Sequence, residues 1–141
     1  MPFEVVSSLT SDQVDDLLDL YQHTYWAQTR RREDVERMLA ESNYLFGVVE
    51  KANGRLRAFA RVISDTVYRS VVLDVVVSPD FRGKGLTRMI FDSIFEHPVL
   101  GKVECTLLFC KDDVLRLYER FGFEVYENMY LMKRGSTCRS D

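Results

Sequence analysis

The stretch VVVSPDFRGKGLTRMI, residues 75–90, contains the features that decide how this chain folds. Its three valines end a β-branched run that begins at Ser70, and such a run is typical of a strand covered on both faces. Pro79 ends the strand because proline has no backbone N–H to donate to a sheet. Two glycines and several basic side chains follow, and apolar residues from Leu86 onward recur at helical spacing. The stretch therefore predicts a strand, a glycine-containing loop and a helix in direct succession.

The rest of the chain predicts a mixed sheet flanked by helices. Thr10 and Gln13 have capping-box spacing before a first helix, and Asn53-Gly54 indicates a hairpin. Further strands are expected near residues 3–6, 44–50, 56–64, 103–109, 123–126 and 129–132, and further helices after residues 32 and 112. The order β-α-α-β-β-β-α-β-α-β-β predicts an α+β fold, layered α/β/α, with a mostly antiparallel sheet. We expect one domain over residues 1–134 and a disordered tail over residues 135–141.

The composition indicates a soluble globular protein. The 141 residues are 46% hydrophobic and 29% charged, and the net charge of -3 argues against broad nucleic-acid binding. No apolar segment approaches the ~20 residues of a membrane span, and the N-terminal residues lack the pattern of a signal peptide. The three cysteines contain no C-x-x-C pair, so neither a disulfide framework nor a zinc site is expected. We therefore expect a cytoplasmic monomer or homodimer that binds no metal ion, nucleic acid or membrane.

The loop Arg82-Gly83-Lys84-Gly85 has two interpretations. Unpaired N–H groups at the start of the next helix and the helix dipole favour an anion, and glycines let a phosphate approach the backbone closely. Alternatively, the loop is an ordinary turn whose basic side chains are solvated. The residues alone leave these interpretations about level. The residues do exclude two known phosphate-binding motifs. G-x-G-x-x-G is excluded because Arg88 occupies the position of its third glycine, and the P-loop is excluded because Lys84 precedes Gly85 instead of following it.

The segment from Arg82 to Thr87 resembles the [RQ]-x-x-G-x-[GA] pyrophosphate loop of the GNAT N-acetyltransferase superfamily, with Thr87 in place of the last small residue. A second segment, LYERFGFEV at residues 117–125, is similar to that family's closing L-Y-E-x-x-G-F segment. Because both motifs occur in the expected order, the chain is identified as resembling a small single-domain member. The resemblance implies transfer of an acetyl group from acetyl-CoA to a primary amine.

The resemblance also implies where CoA binds. The pantetheine arm would pair with the backbone of Val75, Val76 and Val77, and an N–H near Val75 would stabilise the thioester oxygen as negative charge develops. The pyrophosphate would be held by the loop and the start of the helix. This second group of residues is Arg82, Gly83, Lys84, Gly85, Leu86 and Thr87.

Two proton transfers are implied, and each needs a carrier. Tyr118 resembles the acid that protonates the leaving thiolate, and its alternative role is packing on an apolar helix stripe. Leu73 stands where some members have a glutamate base, so Asp74 is the nearest carboxylate; its apolar surroundings favour a raised pKa. Alternation points Asp74 away from the face of Leu73 unless a bulge rotates it. A structural carboxylate bonded to an arginine, or a water chain as base, remain alternatives.

The region between the first two helices commonly lines the acceptor pocket in this family, which suggests Tyr25, Trp26 and Arg30 as substrate-binding residues. Trp26 could contact an aromatic or aliphatic amine, and Arg30 or Arg31 could pair with a carboxylate or phosphate. Alternatively, Trp26 packs beneath the loop and the arginines form a solvated helix start, which we favour for the arginines. The implied function is acetylation of a small-molecule amine by direct attack in a ternary complex. A protein or peptide N-acetyltransferase and a non-catalytic CoA-binding sensor are the alternatives.

Overall fold

The computed structural model describes residues 1–135, which form two compact units that meet in the sequence between Leu108 and Phe109. The single domain expected over residues 1–134 stays a prediction. Apart from Gly135, the expected C-terminal tail lies outside the described residues. Within residues 1–135, none of the helices is both long and apolar enough to cross a membrane.

The first unit contains a five-stranded sheet in which neighbouring strands follow the order of the chain. Strands β1 to β4 pair antiparallel and β4 pairs with β5 in parallel, which confirms the expected mixed, mostly antiparallel sheet and the α+β class. The strands are β1 (Phe3–Val6), β2 (Tyr44–Glu50), β3 (Leu56–Ser64), β4 (Arg69–Val77) and β5 (Cys105–Leu108). The helices are α1 (Ser11–Gln22), α2 (Arg32–Glu41) and α3 (Leu86–Glu96).

Both faces of the sheet are covered. Leu17 and Tyr21 of α1 are fully buried in one cluster with Phe59 of β3. The neighbours of Phe59 in the strand, Ala58 and Ala60, are equally buried and point to the other face because side chains alternate along a strand. Helix α3 packs on β2 and β3. The helices therefore flank the sheet as the sequence predicted.

Local signals set several element ends. The predicted capping box is present: the Gln13 N–H donates to Thr10 Oγ1 at 3.2 Å, and the Thr10 N–H donates to Gln13 Oε1 at 3.0 Å. The Asn53-Gly54 hairpin is also confirmed, with Gly54 at φ +71° between β2 and β3. At the end of α3, His97 Nδ1 accepts from the backbone N–H groups of Val99 and Leu100, at 3.1 and 3.2 Å.

Strand β4 contains a bulge at Asp74. Its pairing with β3 passes from Leu73 opposite Arg61 to Val76 opposite Phe59, so β4 has one residue more than β3 in this interval. Asp74 takes φ +58°, in the left-handed region that residues other than glycine rarely adopt. The extra residue turns Asp74 toward the same face as Leu73 and Val76, the face covered by α1. The bulge, which was one of the two possibilities for Asp74 in the sequence, is therefore present.

The bulge also marks the point at which β4 and β5 stop pairing. Their parallel register runs from Arg69 opposite Cys105 to Val72 opposite Leu108, where β5 ends. Within the described part of the chain, no strand pairs with residues 73–77 of β4 on this side. A length of strand backbone is thus left with one open edge.

The second unit contains a short 3-10 turn, Asp112–Val114, followed by α4 (Leu115–Glu119). The predicted helix is thus present but short. Lys111 is the N-cap residue of the 3-10 turn and Val114 that of α4, and neither forms a side-chain capping hydrogen bond. After α4, Gly122 takes φ +90°, a conformation in which glycine commonly follows the end of a helix.

The two strands predicted at residues 123–126 and 129–132 are wrong, since residues 123–135 contain no strand. Alternating apolar residues favour a strand only when another strand pairs with the backbone and a second layer covers one face. Here the side chains stay exposed at Val125, Tyr126 and the positions from Met129 to Met132.

Candidate active site

The loop between β4 and α3 leaves the helix N-terminus open. A 3-10 turn, Pro79–Phe81, begins the loop, and Gly83 and Gly85 then take φ +78° and +80°. Gly85 is the N-cap residue of α3, and no side chain of the described residues caps the helix there. The first N–H groups of α3 therefore lack intrahelical partners, and they form the positive end of the helix dipole. This arrangement favours an anion.

The space in front of this loop suits a bulky anion. A methyl group added at Gly83 or Gly85 would meet no atom of the described residues within 4 Å. The side chains of Arg82 and Lys84 are exposed beside this space, whereas Leu86 is buried and joins the core. Backbone donors, a helix dipole and two cations together match the chemistry of a diphosphate.

Phe81 fixes the start of the loop to the sheet. Its ring lies 4.4 Å from the guanidinium carbon of Arg57 on β3 and makes an edge-on contact with Phe3, with ring centroids 6.0 Å apart. The Ser78 N–H also donates to the backbone oxygen of Arg57 at 2.7 Å. Arg57 is itself held by Glu50, at 2.6 Å. The loop therefore begins from a rigid position.

The open edge of β4 leads directly into this loop. Val76 is buried in the core with α1, while Val75 and Val77 are half-buried. The side chains thus serve packing, as expected, and the backbone of residues 73–77 is the part left without a strand partner on the β5 side. An extended chain of amide groups, such as a pantetheine arm, fits such an edge because it can accept and donate like another strand.

Asp74 is the centre of a polar cluster in an otherwise apolar region. Its Oδ2 accepts from Arg30 Nη1 at 2.6 Å, Arg61 Nε at 2.9 Å and the Tyr21 hydroxyl at 3.1 Å. Arg30 Nη2 lies 3.4 Å from Oδ1, which makes this pair bidentate. The Asp74 side chain is only 6% exposed. The structure therefore shows the arginine-bonded carboxylate that was one of the two expectations for this residue.

The expected rise in the pKa of Asp74 is wrong. Burial by itself raises the pKa, but the hydrogen bonds and positive charges of Arg30 and Arg61 outweigh it, so the pKa lies below the ordinary value of 3.8. Two guanidinium groups stabilise the ionised form more than the apolar surroundings oppose it. Asp74 is consequently a paired carboxylate at neutral pH and a poor proton acceptor.

Two of the three proposed acceptor residues lie together. The Arg30 guanidinium carbon is 5.3 Å from the ring centre of Trp26 and 4.9 Å from that of Tyr21. The interpretation of Arg30 as a solvated helix start is wrong, because its side chain is stacked and ion-paired; Arg31 is exposed and pairs with Glu33. Trp26 is half-buried, whereas the side chain of Tyr25 is exposed.

Sequence reasoning missed Tyr21 and Arg61 as members of the cluster. The helical spacing of Tyr21 from Val14 and Leu17 predicts packing in the core and gives no sign of a polar partner. Arg61 did leave a signal, because it is a cation between the buried apolar residues Ala60 and Val62 in a predicted strand. An isolated carboxylate in the neighbouring buried strand needs such a partner, so the two charges could have been matched.

Tyr118 lies on α4 in the second unit. Its ring contacts Phe123 edge-on, with centroids 6.4 Å apart. Burial, with a smaller contribution from nearby Cys110, raises the pKa of Tyr118 to about 12. The phenol is therefore fully protonated at neutral pH, as a proton donor must be.

A separate cavity of about 300 Å³ lies in the first unit. None of the residues predicted for the site lines it, so it is not the candidate site. Its walls are Ser7, Leu39, Ser42, Asn43, Tyr44, Leu45, Phe46 and His97.

Known proteins resemble this chain in sequence and in structure. Residues 42–125 match the family model described as the acetyltransferase (GNAT) domain. An uncharacterised N-acetyltransferase, ycf52, of Pyropia yezoensis is 30% identical over 96 residues, which cover 67% of this chain and 55% of that protein. Serotonin N-acetyltransferase 2, chloroplastic, of Oryza sativa subsp. japonica is 34% identical over 98 residues, which cover 67% and 48%. The chain thus spans about half the length of these relatives.

A solved structure extends the similarity to nearly the whole fold. A GNAT-family protein from Xanthomonas campestris pv. campestris superposes with a TM-score of 0.77 at 33% identity, covering 95% of this chain and 94% of that one. The family match includes the β4 edge, the glycine loop and the LYERFGFEV segment. This chain belongs to the GNAT acetyltransferase family.

Proposed function

We propose that the chain is an N-acetyltransferase that moves an acetyl group from acetyl-CoA to the primary amine of a small molecule, by direct attack in a ternary complex. The observation that carries this proposal is the continuous surface made by the open β4 edge and the uncapped N-terminus of α3. The first part suits an amide-containing arm and the second suits a diphosphate.

Each part of the cofactor has a proposed set of contacts. The diphosphate is held by the backbone N–H groups from Gly83 to Thr87 and by the cations of Arg82 and Lys84. The arm lies along the backbone of residues 75–77, and an N–H near Val75 donates to the thioester oxygen, where negative charge develops. Acetyl-CoA, when bound, supplies the activated acyl group. Thr87 is a half-buried residue in the first turn of α3, and its hydroxyl can donate to a phosphate oxygen.

The proton transfers are assigned from the electrostatics of the side chains. We assign the acid role to the Tyr118 hydroxyl, which donates its proton to the leaving sulfur. We assign removal of the ammonium proton to a water chain, because Asp74 has a lowered pKa and two arginine partners. The part of Asp74 in this proposal is to hold Arg30 and Arg61 in place.

A CoA-binding sensor is the second candidate function. The specific observation in its favour is the lack of a ready carboxylate base, since Leu73 is apolar and Asp74 is fully paired. A sensor would bind CoA through the same loop and edge without needing proton transfer.

The deciding experiment mixes the protein with acetyl-CoA and a panel of primary amines, and it measures thiol release together with the mass of the acetylated amine. Calorimetry with CoA is done in parallel. Amine-dependent thiol release supports the enzyme, and acetylation confined to a peptide in the panel replaces the small-molecule acceptor with a protein one. Tight CoA binding without turnover on any amine indicates the sensor, and no CoA binding rejects both functions.

We also propose a cytoplasmic location and a monomeric or homodimeric state. The relatives in Oryza sativa subsp. japonica and Arabidopsis thaliana are chloroplastic proteins. Fractionation of the source cells and light scattering of the purified protein test these two proposals.

A further inference from the structure

The cluster around Asp74 has more positive charge than negative. Arg30 and Arg61 both pair with the single carboxylate of Asp74, and among residues 1–135 neither forms an ion pair with another acidic group. Tyr21 donates to the same carboxylate as a neutral hydroxyl. One carboxylate between two guanidinium groups leaves an excess of one positive charge, which an incoming group can balance.

The excess charge is on the accessible side of the cluster. The Asp74 side chain is 6% exposed, whereas those of Arg30 and Arg61 are 30% and 15% exposed. Each guanidinium has five N–H donors, and the contacts with Asp74, Met38 and Ser42 use only part of them. No buried side-chain donor of the described residues lacks a partner, so the unused N–H groups are open to solvent or a ligand.

The two guanidinium groups are fixed before any ligand arrives. Arg30 stacks on the rings of Tyr21 and Trp26, and its bidentate pair with Asp74 sets the direction of the remaining donors. Arg61 is held by Asp74 and lies 3.4 Å from Ser42 Oγ. A planar, pre-oriented fork of donors binds carboxylate or phosphate with little further loss of side-chain entropy.

The position of the cluster relates this charge to the acceptor. Asp74 immediately precedes Val75, whose N–H we assign to the thioester oxygen, so a group bound to the arginines lies beside the proposed reaction centre. A simple cationic amine is repelled here, and the same field favours the uncharged, nucleophilic form of a bound amine. That effect suits a site without a carboxylate base.

From this geometry we infer that the acceptor amine also carries an anionic group, a carboxylate or a phosphate, which binds to Arg30 and Arg61. The inference rests on the proposed function and narrows its substrate class. The bound anion completes the charge balance around Asp74 and leaves the amine on the side of Val75.

A kinetic test uses amines that share a two-carbon spacer. We expect O-phosphoethanolamine or β-alanine to exceed ethanolamine in kcat/KM at least tenfold, and the better of the two identifies phosphate or carboxylate. Arg30→Gln and Arg61→Gln should each reduce this preference about tenfold, mainly through KM. Arg37→Gln, an equal charge change at an exposed position of α2, should leave it unchanged. An ethanolamine rate equal to the anionic amines, or a preference that survives Arg61→Gln, overturns the inference.

A binding test decides the matter when no amine in the panel reacts. With saturating CoA present to occupy the loop, inorganic phosphate and propionate are titrated while the arginine Nε–H resonances are followed by NMR. We expect saturable shifts at Arg30 and Arg61 that Arg37 does not show, and Arg61→Lys should weaken them because it keeps the charge but loses the fork. Unmoved resonances in a folded, CoA-binding protein reject the anion site. Absence of turnover with clear shifts rejects the enzyme proposal and keeps the anion site.

Discussion

Replacing Gly85 by alanine separates the folding role of this glycine from its proposed role in binding CoA. Gly85 has φ +80° and Gly54, in the β2–β3 hairpin, has φ +71°. A methyl group added at either position meets no atom of the described residues within 4 Å. The two substitutions therefore impose the same kind of backbone strain without a steric clash inside the protein. Only Gly85 lies at the proposed diphosphate site, which makes Gly54→Ala the matched control.

The expected magnitudes follow from these two facts. An L-residue in the left-handed region costs about 1–2 kcal/mol, so both variants should lose a similar free energy of unfolding. At Gly85 the added methyl also occupies space that the diphosphate needs, and it prevents at least one charge-assisted hydrogen bond of about 1.5–3 kcal/mol. That loss corresponds to an increase in the Kd for CoA of roughly tenfold to a hundredfold. Gly54→Ala should leave the Kd unchanged.

The assay combines urea unfolding with calorimetric titration of CoA into the wild type and both variants. Comparable losses of stability with a selective loss of CoA affinity in Gly85→Ala support the assignment of the loop. Equal CoA affinities for the two variants would refute it, because the loop backbone would then not approach the diphosphate. Weakened binding in both variants would trace the effect to general destabilisation.

Three further predictions concern other residues of the site. Tyr118→Phe should lower turnover at least tenfold with little change in CoA affinity, measured by stopped-flow thiol release; an unaltered rate removes Tyr118 as the acid. Asp74→Asn should lower the free energy of unfolding at pH 7 by about 3–5 kcal/mol, since it breaks a buried pair. The pKa of Asp74 in the folded protein lies below 3.8, so the stability difference between wild type and variant has its full size above pH 3.8. It decreases as the pH falls through the folded pKa. A difference in unfolding free energy, measured with urea, that stays constant over the whole acidic range contradicts the reasoning. Phe81→Ala should weaken CoA binding several-fold through a less rigid loop, and calorimetry showing equal affinity contradicts that role.

Most of the first unit could be predicted from the sequence, since its signals are local. The apolar repeat from Leu86 marks the start of α3 correctly, and the capping box at Thr10 and the glycine turn at Gly54 set their elements as expected. Residues 123–132 show the limit of such signals. Apolar and polar residues alternate there, which favours an extended backbone. A strand also requires a second strand to pair with, and the local pattern does not specify one.

The electrostatics of Asp74 could not be predicted for a related reason. The sequence shows a carboxylate in an apolar run, which favours a raised pKa. The arginines that reverse the shift lie 44 and 13 residues away along the chain. The bulge that turns Asp74 toward them leaves no mark in a run in which nearly every neighbour is apolar. Only the tertiary structure shows which effect prevails.

The bulge at Asp74 also determines which genetic changes β4 can tolerate. Before it, residues 70–72 are paired on both sides, so a substitution there acts mainly on the stability of the sheet. After it, Val76 and Val77 pair with β3, and residues 75–77 have no strand partner on the β5 side, so that edge of their backbone can bind a ligand. Deleting a single residue at the bulge would restore strict alternation with Leu73 and Val76 still on the α1 face. The one residue left between them would then point to the opposite face, away from Arg30 and Arg61. A change of length at this point should therefore remove the Asp74 cluster even where the sheet still forms, so the number of residues in this strand segment is constrained as well as their identity.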